Sequence, residues 1–338
     1  MSSRTETPSP TRPDAASPAV WSGQRWHAWG AAAALVAAVV FPGVVGFQDY
    51  MLFTGVTALA AILLANGYNI LIGMSGQFAM AHVAFFGVGA YVSALLVRNG
   101  QVPYLIALLA AIILPTILAW FIARAAVKFA GPYLAMITFA FHSIAAVLFI
   151  NWDALTNGWR GITRIPPITF GDFAFNTPLE SYYLMLGIVA VSLLITYRIK
   201  YSRVGRAFFA IRHNRLAAKA VGINTTYYIT VAFCLSGAFA GLAGSLHAHF
   251  IRYIDPSTFG FTRLIDLLII VIVGGRGNIL GVSLAAILYV FSLEYLRFLQ
   301  DWRLMVFGVL LIIMISVSPD GMGSLLKRLA QRFGERRS

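Results

Sequence analysis

Apolar runs of about 20 residues recur along the chain, and each is long enough to cross the hydrocarbon core of a membrane as a helix. Short polar stretches separate these runs, and we predict ten membrane segments in total. They lie near 28–46, 51–72, 76–97, 103–123, 132–151, 182–199, 226–249, 263–274, 278–296 and 303–319. The pattern therefore predicts an all-α, polytopic bundle of membrane helices.

The glycine-rich segment 76–97 differs from the others, because its composition also suits a broken or partly re-entrant helix. Irregular backbone of this kind survives inside a membrane only where protein buries it or where it faces a water-filled path. We therefore expect 76–97 either to be buried by other helices or to border an aqueous pathway.

The composition agrees with one membrane domain. Hydrophobic residues make up 59% of the chain and charged residues 11%, whereas a soluble domain carries about 25% charged residues. Residues 1–27 are rich in Ser, Thr and Pro, which predicts a disordered cytoplasmic tail. The membrane domain then covers 28–320, and 321–338 form a basic cytoplasmic tail. The single cysteine, Cys234, excludes an internal disulfide.

Positive charge is divided unevenly between the two sides of the predicted topology. With the N-terminus inside, the inner segments hold most of the 25 Lys and Arg residues. The outer side keeps only Arg98, Arg160, Arg164, Arg252, Arg263, Arg297 and Arg303. This bias follows the positive-inside rule, and ten spans then place both termini in the cytoplasm. The rule also explains the net charge of +13 better than nucleic-acid binding does.

Groups that could drive transport are scarce. Asp266 and Glu294 are the only acids within apolar segments, and both lie toward the outer ends. An ion-coupled carrier usually needs an ionisable group near the midplane. His142 is the one candidate there, although hydrogen bonding between helices is the favoured role for it and for His82. Without a P-loop, catalytic constellation or metal-ligand spacing, we expect a chain that is no enzyme, binds no cofactor and takes its energy from elsewhere.

The polar segment 203–222 is the strongest functional signal in the sequence. It carries no acid and these cations: Arg203, Arg206, Arg212, Arg215 and Lys219. The last three fall within one narrow arc of a helical wheel. Asn214 suits a helix N-cap and Gly222 suits a helix terminator. The residue chemistry alone fits two roles equally: a topology signal against anionic headgroups, and a docking helix whose alanines a partner approaches closely.

A resemblance separates these two roles. Ala217-Ala218-x-x-x-Gly222 resembles the core of the loop by which membrane subunits of ABC importers contact their ATPase. Most of the chain resembles one branch of these importer subunits, the branched-chain amino acid permeases. Its motifs, in order, lie at 67–91, 131–138, 151–161 and 274–277, and the resemblance runs from about residue 50 to 320.

The resemblance implies half of a pore for branched-chain amino acids in a bacterial inner membrane. The partners would be a homologous permease, two ABC ATPases that use ATP, and an extracytoplasmic substrate-binding protein. The implied coupling residues are Arg206, Arg212, Arg215, Ala217, Ala218 and Gly222. The candidate residues on the substrate path are Ser75, Gly76, Gln77 and Thr138, with helix packing favoured for each individual glycine.

The match has departures, and other functions stay open. Leu216 stands where the general loop motif has a glutamate, and Arg215 and Lys219 lie near positions where family members often have acids. The same machine could carry urea or short amides. A passive channel around 67–91 predicts flux without ATP, and a secondary carrier using His142 predicts uptake that collapses with the proton gradient.

Overall fold

The computed structural model describes residues 36–295, apart from 45, 130, 171 and 172, together with 302 and 305. The longer helices are α1 (36–44), α2 (Asp49–Tyr68), α3 (His82–Arg98), α4 (Tyr104–Ala126), α5 (Pro132–Asn151), α7 (Pro178–Tyr201), α8 (Arg203–His213), α10 (Thr225–Ile251), α11 (Phe261–Gly274) and α12 (Ile279–Tyr295). Shorter elements are the π-helix Asn69–Met74, α6 (Asp153–Thr156), α9 (Arg215–Ala220), and the 3-10 turns Gly158–Arg160 and Pro256–Phe259. The predicted tails 1–27 and 321–338 and nearly all of segment 303–319 lie outside the described residues.

The structure is an all-α helical bundle of the polytopic kind that the sequence predicts. Among the described residues, five helices are long and apolar enough to cross a membrane: Asp49–Met74, Tyr104–Ala125, Pro132–Asn151, Pro178–Tyr201 and Thr225–Ile251. They coincide with the segments predicted near 51–72, 103–123, 132–151, 182–199 and 226–249. The helices α3 and α12 are apolar but shorter.

Segment 76–97 is broken, as its glycine content suggested. Helix α2 runs through the π-helix to Met74, and the next helix begins only at His82. The irregular backbone between them is held inside the protein. The Tyr68 hydroxyl donates to Ala79 O at 2.9 Å, and Met80 N donates to Thr138 Oγ1 at 2.8 Å. A straight span over 76–97 is therefore wrong, and the break satisfies its polar groups within the bundle.

Helices α2 and α10 form the centre of the bundle. In the most apolar stretch of Asp49–Met74, 94% of the residues are buried. In the corresponding stretches, 22% are buried in α4 and 33% in each of α5 and α7. Small residues permit the close approach of α10 to its neighbours. A Cβ added at Gly241 would lie 2.0 Å from Ala111 O of α4, and one at Gly244 would lie 2.2 Å from Phe86 O of α3. Glycine at these positions is therefore a packing requirement.

Two groups of loops occupy the two ends of the bundle. One group, here called the strand end, covers 152–178 and 252–260. It contains the antiparallel pairs β1 (Ile162–Thr163) with β4 (Tyr253–Ile254), and β2 (Thr169–Phe170) with β3 (Phe173–Ala174). The other group, the basic end, covers 73–76, 127–129, 200–223 and 275–278, which hydrogen bonds tie together. This grouping matches the predicted alternation of outer and inner loops.

Asp255 organises the strand end. Its carboxylate accepts hydrogen bonds from Thr258 N at 3.0 Å and from the Ser257 hydroxyl at 2.5 Å, which caps the 3-10 turn Pro256–Phe259. Desolvation raises the pKa of this carboxyl, but the bonds from Ser257 and Thr258 outweigh it, so the pKa lies below its ordinary value. The group is therefore a carboxylate at neutral pH.

Candidate coupling site

The basic segment folds into two short helices because two side chains cap them. At the start of α8, the Ser202 hydroxyl accepts from Val204 N at 3.1 Å and Gly205 N at 3.3 Å. At the start of α9, Asn214 Oδ1 accepts from Leu216 N at 2.9 Å and from Ala217 N at 3.0 Å. These bonds satisfy backbone donors that a helix start leaves free. The predicted N-cap at Asn214 is confirmed.

Gly222 ends α9 in the predicted way. Its φ of +85° is left-handed, which glycine adopts without a steric penalty. Ile223 N donates to Ala218 O at 3.0 Å, and Gly222 N donates to Lys219 O at 3.1 Å. The bond from Ile223 to Ala218 is the 6→1 bond of a Schellman motif, and the bond from Gly222 to Lys219 is its 5→2 bond; both satisfy carbonyls at the helix end.

The prediction of one helical face that carries Arg212, Arg215 and Lys219 is wrong. Asn214 has φ −157° and ψ 110°, an extended conformation that separates α8 from α9. An N-cap residue must leave the helical conformation to place its side chain over the free donors. The three cations therefore lie on two helices with different directions and contacts.

Arg212 points into the bundle and binds two carbonyls at its basic end. Its Nη1 donates to Gly73 O, at the end of the π-helix, and to Arg276 O at 3.1 Å. Gly76 lies just after the π-helix and has φ +70°. A Cβ added there would lie 3.0 Å from Arg212 Cα, so the contact with α8 leaves no room for a side chain. The helix α8 thus rests directly on the chain that joins α2 to α3.

Two further side chains complete this contact. Lys200 Nζ donates to Gly277 O at 2.8 Å, and Asn69 Oδ1 accepts from Gly277 N at 2.8 Å. We call Asn69, Gly73, Lys200, Arg212, Arg276 and Gly277 the carbonyl clamp. Sequence reasoning missed Asn69 and Lys200, although a buried amide in an apolar helix and a lysine at a helix end were visible signals.

Arg215 binds a different part of the bundle. Its Nη2 donates to Val127 O at 2.7 Å and its Nη1 to Phe129 O at 3.4 Å, so α9 is tied to the loop between α4 and α5. Arg206 is exposed, and its Nη1 donates a long hydrogen bond of 3.4 Å to Tyr201 O. Of the predicted coupling arginines, Arg212 and Arg215 bind this chain's own carbonyls, and Arg206 faces outward.

The outer face of α9 is apolar. Leu216 is 80% exposed and Val221 77% exposed, and Ala217 and Lys219 are exposed beside them. Ala218, expected on the same face as Ala217, is only 4% exposed and packs against the bundle. We call Leu216, Ala217 and Val221 the apolar tip. Ala217 and its apolar neighbours therefore form the exposed face of α9, whereas Ala218 faces the bundle.

The residues predicted for the substrate path are bound to backbone. The Ser75 hydroxyl donates to Leu71 O at 2.7 Å, and Gln77 Nε2 donates to Ser75 O at 3.0 Å. Thr138 Oγ1 donates to Leu134 O at 2.8 Å while it accepts from Met80 N. Together with Gly76 they border the broken segment 75–81, beside the clamp. Their role on a substrate path stays a prediction.

Two of the buried histidines, His82 and His142, have different surroundings. His82 Nε2 lies 2.9 Å from Leu64 O and its Nδ1 lies 2.7 Å from Ser236 Oγ, so His82 links three helices as expected. His142 is 2% exposed, and its Nδ1 has no hydrogen-bond partner in the described part of the chain. The hydrogen bond predicted for His142 is therefore not found at Nδ1, and the ring instead lies beside the phenyl ring of Phe139, with 6.3 Å between the ring centroids.

Within the residues that the structure describes, no three His, Cys, Asp or Glu side chains are placed to hold a metal ion. The polar features of the basic end are instead cations on backbone carbonyls and an exposed apolar tip. This combination suits a site that transmits force between a partner and the bundle.

Comparison with known proteins decides the class. The family described as "Branched-chain amino acid transport system / permease component" matches residues 50–315. The chain belongs to this family. The match includes the broken segment, the clamp and both helices of the basic segment, so these features belong to a permease.

Individual relatives agree with the family match. The permease is 30% identical over 315 residues to the high-affinity branched-chain amino acid transport system permease protein LivM of Salmonella typhimurium, covering 86% of this chain and 73% of LivM. LivM of Escherichia coli (strain K12) gives the same identity and coverage. The related permease protein LivH of Salmonella typhimurium is 28% identical over 295 residues, covering 80% of this chain and 93% of LivH. No solved structure matches the chain.

Proposed function

We propose that this permease is the membrane subunit of an ATP-driven ABC importer and forms half of a pore for branched-chain amino acids. It has ten spans with both termini in the cytoplasm of a bacterium, and it lies in the inner membrane. It pairs with a homologous permease, two ATPases and an extracytoplasmic binding protein. The names of LivM and LivH support both the machine and the substrate class.

The observation that carries this proposal is that the basic segment binds the bundle on one side and exposes apolar side chains on the other. On one side, Arg212 and Arg215 bind carbonyls at the end of the π-helix, in the turn at Arg276 and in the α4–α5 loop. On the other side, Leu216 and Val221 are largely exposed. An exposed apolar patch usually marks an interaction site. An ATPase cleft that closes over the apolar tip would move α9, and the clamp would pass this motion to α2 and α3.

Leu216 gives the tip an apolar contact where the general loop motif has a glutamate. The proposal therefore requires an ATPase cleft whose wall is apolar opposite Leu216, and acidic opposite the exposed Lys219. The chain itself holds no cofactor in this proposal, and the partner ATPases bind and hydrolyse ATP.

The test is a double substitution at the tip. The Leu216→Asp, Val221→Asp variant places two carboxylates in the proposed interface. We expect ATPase co-purification to be lost and ATP-driven leucine uptake into proteoliposomes to fall at least about tenfold. Trp159→Asp, at the strand end and 71% exposed, is the matched control and should keep both. Normal assembly and uptake in the double variant would refute the coupling role.

A further inference from the structure

A second site lies at the strand end, far from the coupling segment in the bundle. A cavity of about 140 Å³ opens between α2, α7 and α10. Most of its lining is apolar and includes Phe53, Val56, Leu184, Met185, Leu246 and Phe250. An apolar protein cavity of about 150 Å³ accommodates benzene. This cavity therefore has room for the four-carbon side chain of a leucine-sized molecule.

The deep wall of the cavity offers no free histidine nitrogen. His249 is 1% exposed, and its Nδ1 lies 2.7 Å from Pro166 O while its Nε2 lies 2.9 Å from Ser93 Oγ. Both ring nitrogens already have partners, so an apolar group beside the ring leaves no buried polar atom unpaired. Val56 and Leu246, also fully buried, continue this apolar wall.

The exposed residues of the lining are Asn176, Arg252 and the ring of Phe53, so two of the three are polar. Arg252 Nη2 lies 3.4 Å from Asn176 Oδ1. Ser181 also lines the cavity. The carboxylate of Glu180, the residue before Ser181, accepts from Asn176 N at 3.0 Å. A guanidinium and an amide oxygen thus line a mostly apolar cavity, and the Glu180 carboxylate beside them caps α7 by accepting from Asn176 N and Thr177 N.

Arg252 is positioned by the backbone and not by an acid. It ends α10 at φ +60°, and its N–H donates to Ala248 O at 2.9 Å. None of the residues that line the cavity is acidic. Its guanidinium is therefore available to a carboxylate in a geometry that the helix end fixes.

We propose that this cavity binds a small α-amino acid with an aliphatic side chain, as a station on the outer side of the permease. The side chain packs against the apolar wall, the carboxylate binds Arg252, and the ammonium faces Asn176 Oδ1 and the Ser181 hydroxyl. The proposal rests on the proposed import function for the direction of transport. Its binding chemistry stands on the cavity alone.

The test measures binding of tritiated L-leucine to the purified full chain in nanodiscs. Arg252→Gln should weaken binding at least about tenfold, because it removes a charged hydrogen bond, and Arg252→Lys should restore most of it. Ser181→Phe fills the cavity and should weaken binding to a similar extent. Val191→Phe, on the exposed surface of the same helix, is the matched control and should bind like the native chain.

Competition identifies the ligand class. Isoleucine and valine should displace leucine, whereas isocaproate and isoamylamine, which each lack one charge, should compete at least about tenfold more weakly. Native affinity in both Arg252→Gln and Ser181→Phe would overturn the site. If the native chain binds no leucine because the cavity holds only a lipid acyl chain, that result would also overturn the site.

Uptake by the assembled transporter separates this site from the proposed function. ATP-driven leucine uptake together with unchanged binding in the Arg252 and Ser181 variants would refute the site and leave the import function in place. Specific leucine binding that depends on Arg252, together with uptake that does not require ATP, would refute the import function and support the site.

Discussion

At the scale of single residues, cations decide the structure of the basic end. Arg212 binds the carbonyls of Gly73 and Arg276, and Lys200 binds that of Gly277. Each carbonyl would otherwise need water inside a tight contact. A basic residue in this segment therefore does more than carry charge, because its hydrogen bonds fix the segment to the helices beside it.

Arg212→Gln should uncouple this permease without preventing assembly. Loss of the charged hydrogen bonds to Gly73 O and Arg276 O should cost about 1–3 kcal/mol. The apolar tip stays intact, so the ATPase should still co-purify while ATP-driven uptake falls several-fold. Arg203→Gln, exposed on the same helix, is the control with full uptake. Equal uptake in the two variants would remove Arg212 from the transmission path.

At the scale of elements, glycines set how closely the central helix α10 approaches its neighbours. A Cβ added at Gly89 of α3 would lie 2.5 Å from both the Cα and the carbonyl oxygen of Gly241. Gly237 faces Pro115 O of α4 in the same way. The predicted packing role of Gly89 is confirmed by this contact. Lipid offers apolar side chains no gain from association, so such close backbone contact supplies the stability.

Gly241→Ala should destabilise the bundle. The added methyl meets Ala111 O and the Pro115 ring, and overpacking of this kind costs about 1–3 kcal/mol. Gly187→Ala on α7 meets nothing within 4 Å and gains helix propensity, so it should be neutral or slightly stabilising. Thermal unfolding of the two variants in detergent gives the comparison. Equal midpoints would show that α4 and α10 are not held at this distance.

The elements also show how far the sequence alone could lead. Apolar length located the five long helices, because a membrane span demands it. The cap at Asn214 and the terminator at Gly222 were predictable from residue chemistry. The carbonyl clamp depends on contacts between residues more than 60 positions apart, such as Arg212 with Gly73. The break at 75–81 depends on the contact of Met80 with Thr138, 58 positions away, and no local pattern specifies either contact.

At the scale of the whole molecule, the contacts agree with one orientation in the membrane. Loops predicted inside meet at the basic end, and loops predicted outside meet at the strand end. The helices α4, α5 and α7 keep large apolar side chains exposed, including Leu109, Ile113, Met136, Val147 and Leu194. These surfaces are left for lipid or for the second permease of the proposed pore.

Single-cysteine labelling tests the orientation. In a Cys234→Ala background, Trp159→Cys should react with an impermeant maleimide added to intact cells, because 159 lies in a predicted outer loop. Ala217→Cys should react only after the membrane is opened. Reaction of position 217 in intact cells would reverse the assignment of the two ends and place the basic segment outside.

The central claim is that α9 docks on an ATPase, and photo-crosslinking from its exposed face tests it most directly. A photoreactive residue replaces Leu216 in the transporter reconstituted with its ATPase subunits, and a second sample carries it at Trp159. We predict a crosslink to the ATPase from position 216 that strengthens or weakens when ATP is added, and none from position 159. No ATPase crosslink from position 216, in a complex that still imports leucine with ATP, would contradict the account.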